Sequence, residues 1–107
     1  MTDVVIILST VPDDDSGELL ARTLVEERLA ACVNVHGRMV STYRWKGGVE
    51  SAAERQLVIK TTRERVPAVE ARLKALHSYE LPEFVVLPVE GGSADYLGWV
   101  RETHAQQ

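Results

Sequence analysis

The hydrophobic pattern of the chain changes from helical to extended spacing within one segment, residues 20–35. Leu20, Leu24 and Leu29 recur at helical spacing with charged residues between them, which predicts an amphipathic helix. Val33 and Val35 then follow at the spacing that places side chains on one face of a strand. No glycine or proline separates the two patterns. The sequence therefore predicts a helix that leads almost directly into a strand of the sheet on which it packs.

Four further segments have the pattern of strands. Residues 4–8 are a continuous apolar run, typical of a central strand buried on both faces and ended by Pro12. Residues 41–45 and 49–61 flank Lys46-Gly47-Gly48, a tight-turn signal that predicts a hairpin. Residues 84–89 form the last predicted strand, and Pro88 indicates a sheet edge.

The hairpin is longer than an ordinary strand pair. The inner part of its return strand, residues 57–59, is apolar on both sides, whereas residues 50–55 are polar and unsuited to a core. Ordinary strands have about five to six residues, so a ribbon of this length is expected to project from its domain. Because the ribbon carries Tyr43 and Trp45, we expect a partner surface and therefore a homo-oligomer.

Two more helices follow from apolar spacing and capping signals. Val66, Val69, Leu73 and Leu76 lie three, four and three residues apart, with Thr62 or Glu64 as the expected cap. Ser93 is the expected cap of a last helix, and the apolar side of that helix is formed by Tyr96, Leu97, Trp99, Val100 and Thr103. The acidic run Asp13–Asp15 is interpreted as the start of the first helix rather than as a metal loop.

The order of these elements predicts the fold. A β-α-β-β-α-β succession plus a C-terminal helix indicates an α+β, ferredoxin-like domain with both main helices on one face of an antiparallel sheet. A length of 107 residues suits one domain, which we expect to span residues 1–107. The other face of so small a sheet needs a cover, for which the third helix and neighbouring subunits are the candidates.

Composition narrows the class of protein. A net charge of −4 argues against nucleic-acid binding, and no apolar run approaches the length of a membrane span. A single cysteine cannot form an internal disulfide, so the expected compartment is the cytoplasm. Folding is expected to require no cofactor.

The candidate metal ligands are His77 and Cys32. His77 shares a short segment with Tyr79, Glu80 and Glu83, and such side chains suit copper or another divalent metal ion. Alternatively, His77 ends the second helix by bonding its last carbonyls, while Tyr79 and Glu80 hold the loop to a neighbour. Cys32 is interpreted either as a small core residue or as a thiolate for Cu(I). His36 and His104 are isolated in the sequence and are expected to be solvated.

Aromatic residues are few, and most of them fall in the hairpin and the last helix. With nearby polar groups they predict a cleft between subunits, or alternatively an aromatic subunit interface. The proposed cleft residues are Tyr43, Trp45, Glu54, Lys60, Tyr79, Glu80, Tyr96 and Trp99.

Five segments together resemble the CutA family of divalent-cation tolerance proteins. They are LVEERLAACVN (24–34), STYRWKG (41–47), LVIKT (57–61) with Glu54, HSYELPE (77–83) and DYLGWV (95–100). The resemblance implies a ferredoxin-like subunit in a homotrimer similar to the PII signalling proteins. It also implies a link to copper and divalent-metal tolerance. In members that bind copper, the ligand candidates fall where this chain has Ser9, Leu76 and His77, of which only His77 can coordinate a metal.

Three classes of function follow from these features. The first is a trimeric protein that binds copper or another divalent ion in the cellular response to metals. The second is a PII-like signalling module that binds a small anionic ligand in inter-subunit clefts, for which Lys60 and Arg44 are the candidate cations. An enzyme is not expected, because the sequence contains no nucleophile motif, and three aspartates follow the first strand where a phosphate loop would need an arginine.

Overall fold

The computed structural model describes residues 2–103, which form one sheet and three α-helices. The strands are β1 (Val4–Pro12), β2 (Cys32–Val35), β3 (Met39–Trp45), β4 (Gly48–Thr62) and β5 (Val85–Pro88). The helices are α1 (Ser16–Glu26), α2 (Val66–Leu76) and α3 (Ala94–Thr103), with a short 3-10 turn at Arg63–Arg65 before α2. None of the helices within these residues has the length and apolar character that crossing a membrane requires.

The sheet has the strand order β2-β4-β1-β5, and every pairing is antiparallel. β3 continues past β2 along the same partner, β4, after a break at residues 36–38. This is the predicted ferredoxin-like arrangement with its long hairpin, and the break at residues 36–38 divides one arm into two strands. Among the strands of residues 2–103, β5 pairs only with β1, which confirms the edge position indicated by Pro88.

The main core lies between one face of the sheet and helices α1 and α2. Its fully buried members include Ile7 of β1, Ile59 of β4, Leu24 of α1 and Leu73 of α2. Gly17 permits a close approach of α1 to the sheet, because an added Cβ would lie 3.0 Å from a Val11 methyl group. The prediction that both main helices cover one face is therefore confirmed.

The opposite face of the sheet is only partly covered. Leu97 and Val100 of α3 pack on Val4 and Ala31 in a smaller cluster. Beyond this cluster the face remains half-open, with Ile6 and Leu8 half-buried and Val58, Val85 and Leu87 beside them on the same face. The expectation that β1 is buried on both faces is thus wrong for the single chain, because α3 reaches only one end of the strand.

The first helix ends earlier than its apolar spacing predicts. α1 stops at Glu26, and Arg28 adopts a left-handed conformation with φ of 63°. The N–H of Leu29 then donates to the carbonyl of Leu24 at 2.9 Å. This backbone arrangement closes a helix in the way that a glycine usually does. Because an arginine fills the position, the sequence carried no visible stop signal.

The helix caps predicted from the sequence are only partly confirmed. Neither Thr62 nor Glu64 caps α2, since the 3-10 turn intervenes and no side-chain cap bond forms. At α1 the carboxylate of Asp14 accepts the N–H of Ser16 at 2.9 Å, and the Ser16 side chain first, then this N–H, lowers the pKa of Asp14. Ser93 does cap α3, because its hydroxyl oxygen accepts the N–H of Tyr96 at 3.1 Å.

The apolar stripe of α2 provides a matched pair of substitutions. Leu73 is fully buried, whereas Leu76, one turn later, is 45% exposed, although the sequence pattern placed both in the core. We expect Leu73→Ala to lower the free energy of unfolding by about 2–5 kcal/mol and Leu76→Ala by less than about 1 kcal/mol. Chemical denaturation at a single protein concentration measures both, and equal losses would contradict the burial described here.

Candidate functional site

A cleft opens between the β3–β4 hairpin and the loop of residues 77–84. It has a volume of about 830 Å³. Five of the predicted cleft residues line it: Tyr43, Trp45, Glu54, Tyr79 and Glu80. Strand periodicity explains the gathering, because Tyr43 and Trp45 share one face of β3 and the antiparallel register sets Tyr43 opposite Glu50.

The charged lining of this cleft is uniformly acidic. Among the described residues, its only charged side chains are Glu50, Glu54, Glu80 and Glu83. We call this region the acidic cleft. Carboxylates that converge on a concave surface create a negative potential that attracts cations and disfavours anions.

A partly buried hydrogen bond joins the two walls of the acidic cleft. The hydroxyl of Tyr79 donates to the carboxylate of Glu54 at 2.7 Å, which ties the loop to β4. Glu54 is only 7% exposed, although the sequence placed it in a polar part of the hairpin that was not expected to be buried. Burial first, and then the neighbouring Glu54 carboxylate, raise the pKa of Tyr79.

Both ring nitrogens of His77 have partners at the edge of this cleft. Nδ1 accepts the backbone N–H of Tyr79 at 3.0 Å, so the proton of the neutral ring resides on Nε2, which donates to the carbonyl of Thr10 at 2.7 Å. The backbone N–H of His77 bonds to Leu73 at the end of α2. His77 therefore ends the helix and anchors the loop. To coordinate a metal through Nε2, it would have to release Thr10.

The other predicted cleft residues form a second, separate group. Lys60 lies with its Nζ 5.9 Å from the ring centroid of Tyr96, and the rings of Tyr96 and Trp99 are 5.6 Å apart. None of these three residues lines the acidic cleft. Within one chain, the structure thus divides the predicted cleft into a hairpin group and an α3 group.

Cys32 lies away from His77. Its register partner on β4 is Lys60, which pairs in turn with Ile6 of β1, four residues before Thr10. The separation along the strand is therefore roughly 13 Å, with two strand spacings across the sheet in addition. Cys32 is a free, half-buried thiol. One metal ion cannot be held by both residues of the same chain.

No group of three or more His, Cys, Asp or Glu side chains in residues 2–103 is arranged to hold a metal ion. Two of the positions that hold copper-ligand candidates in the family are Ser9 and Leu76 here. Ser9 is fully buried, and Leu76 is 45% exposed at the end of α2. His36 is exposed, as expected, and His104 lies outside the described residues.

Glu50 and Gln56 are among the polar members of the acidic cleft that sequence reasoning missed. Gln56 donates from Nε2 to the carbonyl of Ser9 at 2.6 Å and to Glu83 at 3.4 Å, which links β4 to β1 and to the loop. The available signal was the two-residue period of β4, which sets Glu50, Glu54 and Gln56 on one face.

The Tyr79–Glu54 bond generates a prediction about alkaline stability. We expect Tyr79→Phe to lower the free energy of unfolding by about 1 kcal/mol near neutral pH, because the buried carboxylate loses a donor. Since folding raises the pKa of Tyr79 above its ordinary 10.0, this contribution is complete below pH 10 and is lost as the pH rises through the folded value. Denaturant titrations from pH 7 to 11 should show the gap between the two proteins narrowing above pH 10. Tyr96→Phe is the control, and an identical gap for it would contradict the assignment.

Comparison with known proteins identifies the family. Residues 5–103 match the family model described as CutA1 divalent ion tolerance protein. The chain is 46% identical over 97 residues to the divalent-cation tolerance protein CutA of Thermus thermophilus, covering 91% of this chain and 94% of that one. It is 38% identical over 99 residues to the chloroplastic protein CutA 1 of Oryza sativa, where it covers 92% of this chain but 56% of the longer plant protein.

Solved structures agree with these relatives in fold. The crystal structure of CutA from Xylella fastidiosa superposes with a TM-score of 0.92 at 48% identity, over 98% of this chain and 100% of that one. The family match over residues 5–103 and the superposition over nearly the whole chain point to the same conclusion. The chain belongs to the CutA1 divalent ion tolerance family.

Proposed function

We propose that this protein is a homotrimeric divalent-cation tolerance protein that binds copper or another divalent metal ion at the acidic cleft. It acts by binding rather than by catalysis, and the compartment that we propose is the cytoplasm. The observation that carries the proposal is the charge of the cleft, where four glutamates and no lysine or arginine occur among the described lining residues. Such a surface concentrates cations by long-range attraction.

The same charge bears on the alternative, a PII-like module that binds a small anion in this cleft. The two cations considered for that role, Lys60 and Arg44, do not line it. An anion would therefore meet four carboxylates without a compensating charge from the same chain. The cation is the better match to this surface.

A second copy of the chain is needed to complete the site. Within the described part of one chain, no three donors are placed to hold an ion. Glu54 is engaged by Tyr79, and His77 is engaged by Thr10 and Tyr79. We therefore propose that donors from a neighbouring subunit join Glu50 or Glu80, and that His77 exchanges Thr10 for the metal. Cys32, on β2, would need a separate site.

Exposed apolar surface supports the assembly. Val40 and Val49, on the hairpin, are 70% and 68% exposed, and one face of the sheet keeps Val85 and Leu87 open. The molecule is elongated, with extents of 44 × 27 × 24 Å. Apolar surface on a projecting ribbon is typical of an interface between subunits. The number three comes from the family resemblance.

Calorimetric titration with Cu(II) and Zn(II) tests the metal site. We expect saturable binding that weakens by about tenfold or more in Glu80→Gln and in His77→Ala, since each removes a donor or cleft charge. Glu90→Gln, which removes the same charge from an exposed position outside the cleft, should change affinity by less than about twofold. Cys32→Ala should bind as the parent protein does.

Absence of heat for both metals at protein concentrations of tens of micromolar would contradict the metal site. An equal loss in Glu90→Gln would indicate a non-specific charge effect and would also overturn it.

Analytical ultracentrifugation tests the assembly. We expect a particle of three times the 11.9 kDa chain at micromolar concentration. Val40→Asp should shift the sedimenting species toward the single chain, because an aspartate buried in an apolar interface would be an unpaired charge. Leu19→Asp, at a 61% exposed position of α1 outside the proposed interface, is the control. A well-folded single copy of the parent chain would contradict the proposal.

A further inference from the structure

A second cavity lies at the other end of the β1–β4 pair from the acidic cleft. The register pairs Val4 with Thr62 at this end and Pro12 with Glu54 at the cleft end. The cavity has a volume of about 410 Å³. Its described lining residues are Asp3, Thr62, Arg63, Glu64, Arg65 and Arg101. We call it the arginine cavity.

Two elements, the 3-10 turn before α2 and helix α3, carry the three arginines around this cavity. The N–H of Arg63 donates to the carbonyl of Asp3 at 2.7 Å, so the turn before α2 is fixed to the start of β1. Arg65 is at the end of the same 3-10 turn. Arg101 follows Val100, whose side chain is fully buried under α3. The backbone at each of the three arginines is therefore held in place by hydrogen bonding or by packing of a neighbouring side chain.

The positive charge of the arginine cavity is only weakly compensated. The ion pairs of Arg101 with Asp3 and of Arg65 with Glu64 are long, at 3.8 and 3.6 Å. Well-formed pairs of this kind measure about 2.7–2.9 Å. Arg63 makes no ion pair with any described residue, and the Nε of Arg65 is buried without a hydrogen-bond acceptor there. An anion in the cavity would supply the counter-charge and the acceptor that the exposed guanidinium of Arg63 lacks.

We propose that the arginine cavity is a binding site for an oxyanion, the phosphate or carboxylate group of a small molecule. Guanidinium groups match the planar, two-oxygen geometry of both anions. The volume falls within the range of small-molecule sites. A net charge of −4 would repel anions from the protein as a whole, so binding here depends on the local cluster. This site is separate from the acidic cleft and gives the protein a second ligand of opposite charge.

Calorimetry with inorganic phosphate and with malonate, in separate titrations of the full chain, tests the site. The ionic strength is held constant with chloride so that screening does not change. The test variant is Arg63→Gln/Arg101→Gln, and both positions are exposed. The control is Arg22→Gln/Arg28→Gln, which removes the same charge from exposed positions on and just after α1.

We expect saturable binding of at least one probe, weakened about tenfold or more in the test variant and less than about twofold in the control. Binding of phosphate alone assigns a phosphate group, binding of malonate alone assigns a carboxylate, and binding of both assigns a general oxyanion site. Arg101→Lys, which keeps the charge without the planar fork, should bind more weakly than the parent protein and more tightly than Arg101→Gln.

Two results would overturn the proposal. The first is the absence of saturable heat with either probe up to about 10 mM. The second is an equal loss of affinity in the control variant, which would mean that only overall charge matters. Thermal unfolding of each variant verifies that the fold is intact, so that a loss of binding can be attributed to the cavity.

Discussion

The backbone pairing of β4 is the constraint on which the rest of the structure depends. This strand of 15 residues pairs with β1 and β2 along its inner part and with β3 along its outer part. Its inner residues Leu57 and Ile59 belong to the buried core, whereas its outer residue Glu54 belongs to the acidic cleft. Because one strand serves both regions, the register of the core also fixes the position of the cleft.

The same strand separates two surfaces of opposite charge. Glutamates line the cleft beside its outer half, and arginines line the cavity where it ends at Thr62. An extended strand is stiff and keeps its ends far apart, so the two surfaces do not neutralise each other. A protein of modest net charge therefore carries one local field suited to cations and another suited to oxyanions. This separation is the physical basis of the two ligand sites that we propose.

Helix placement explains why we expect the molecule to assemble. Helices α1 and α2 cover one face of the sheet along its core strands but not along the outer hairpin, whereas α3 covers one end of the other face. The order of elements predicted this layering correctly, because apolar spacing reports which side of a helix is buried. Apolar spacing did not predict that Leu76 lies outside the core or that α1 ends at the left-handed Arg28. Both outcomes depend on backbone geometry, and no glycine or proline marks either position in the sequence.

The sequence by itself determined the order of the elements, the ferredoxin-like topology, the long hairpin and the residues that carry candidate chemistry. These features depend on local periodicity and turn residues, which a linear pattern records. Only the tertiary structure decided which candidates meet. It set Tyr79 on Glu54 and His77 on Thr10, and it placed Lys60 and Cys32 elsewhere. It also brought Arg101 into one cavity with Arg63 and Arg65, which lie far from it in the sequence. Strand register and helix docking bring distant residues together, and neither can be predicted from the residue spacing within a single segment.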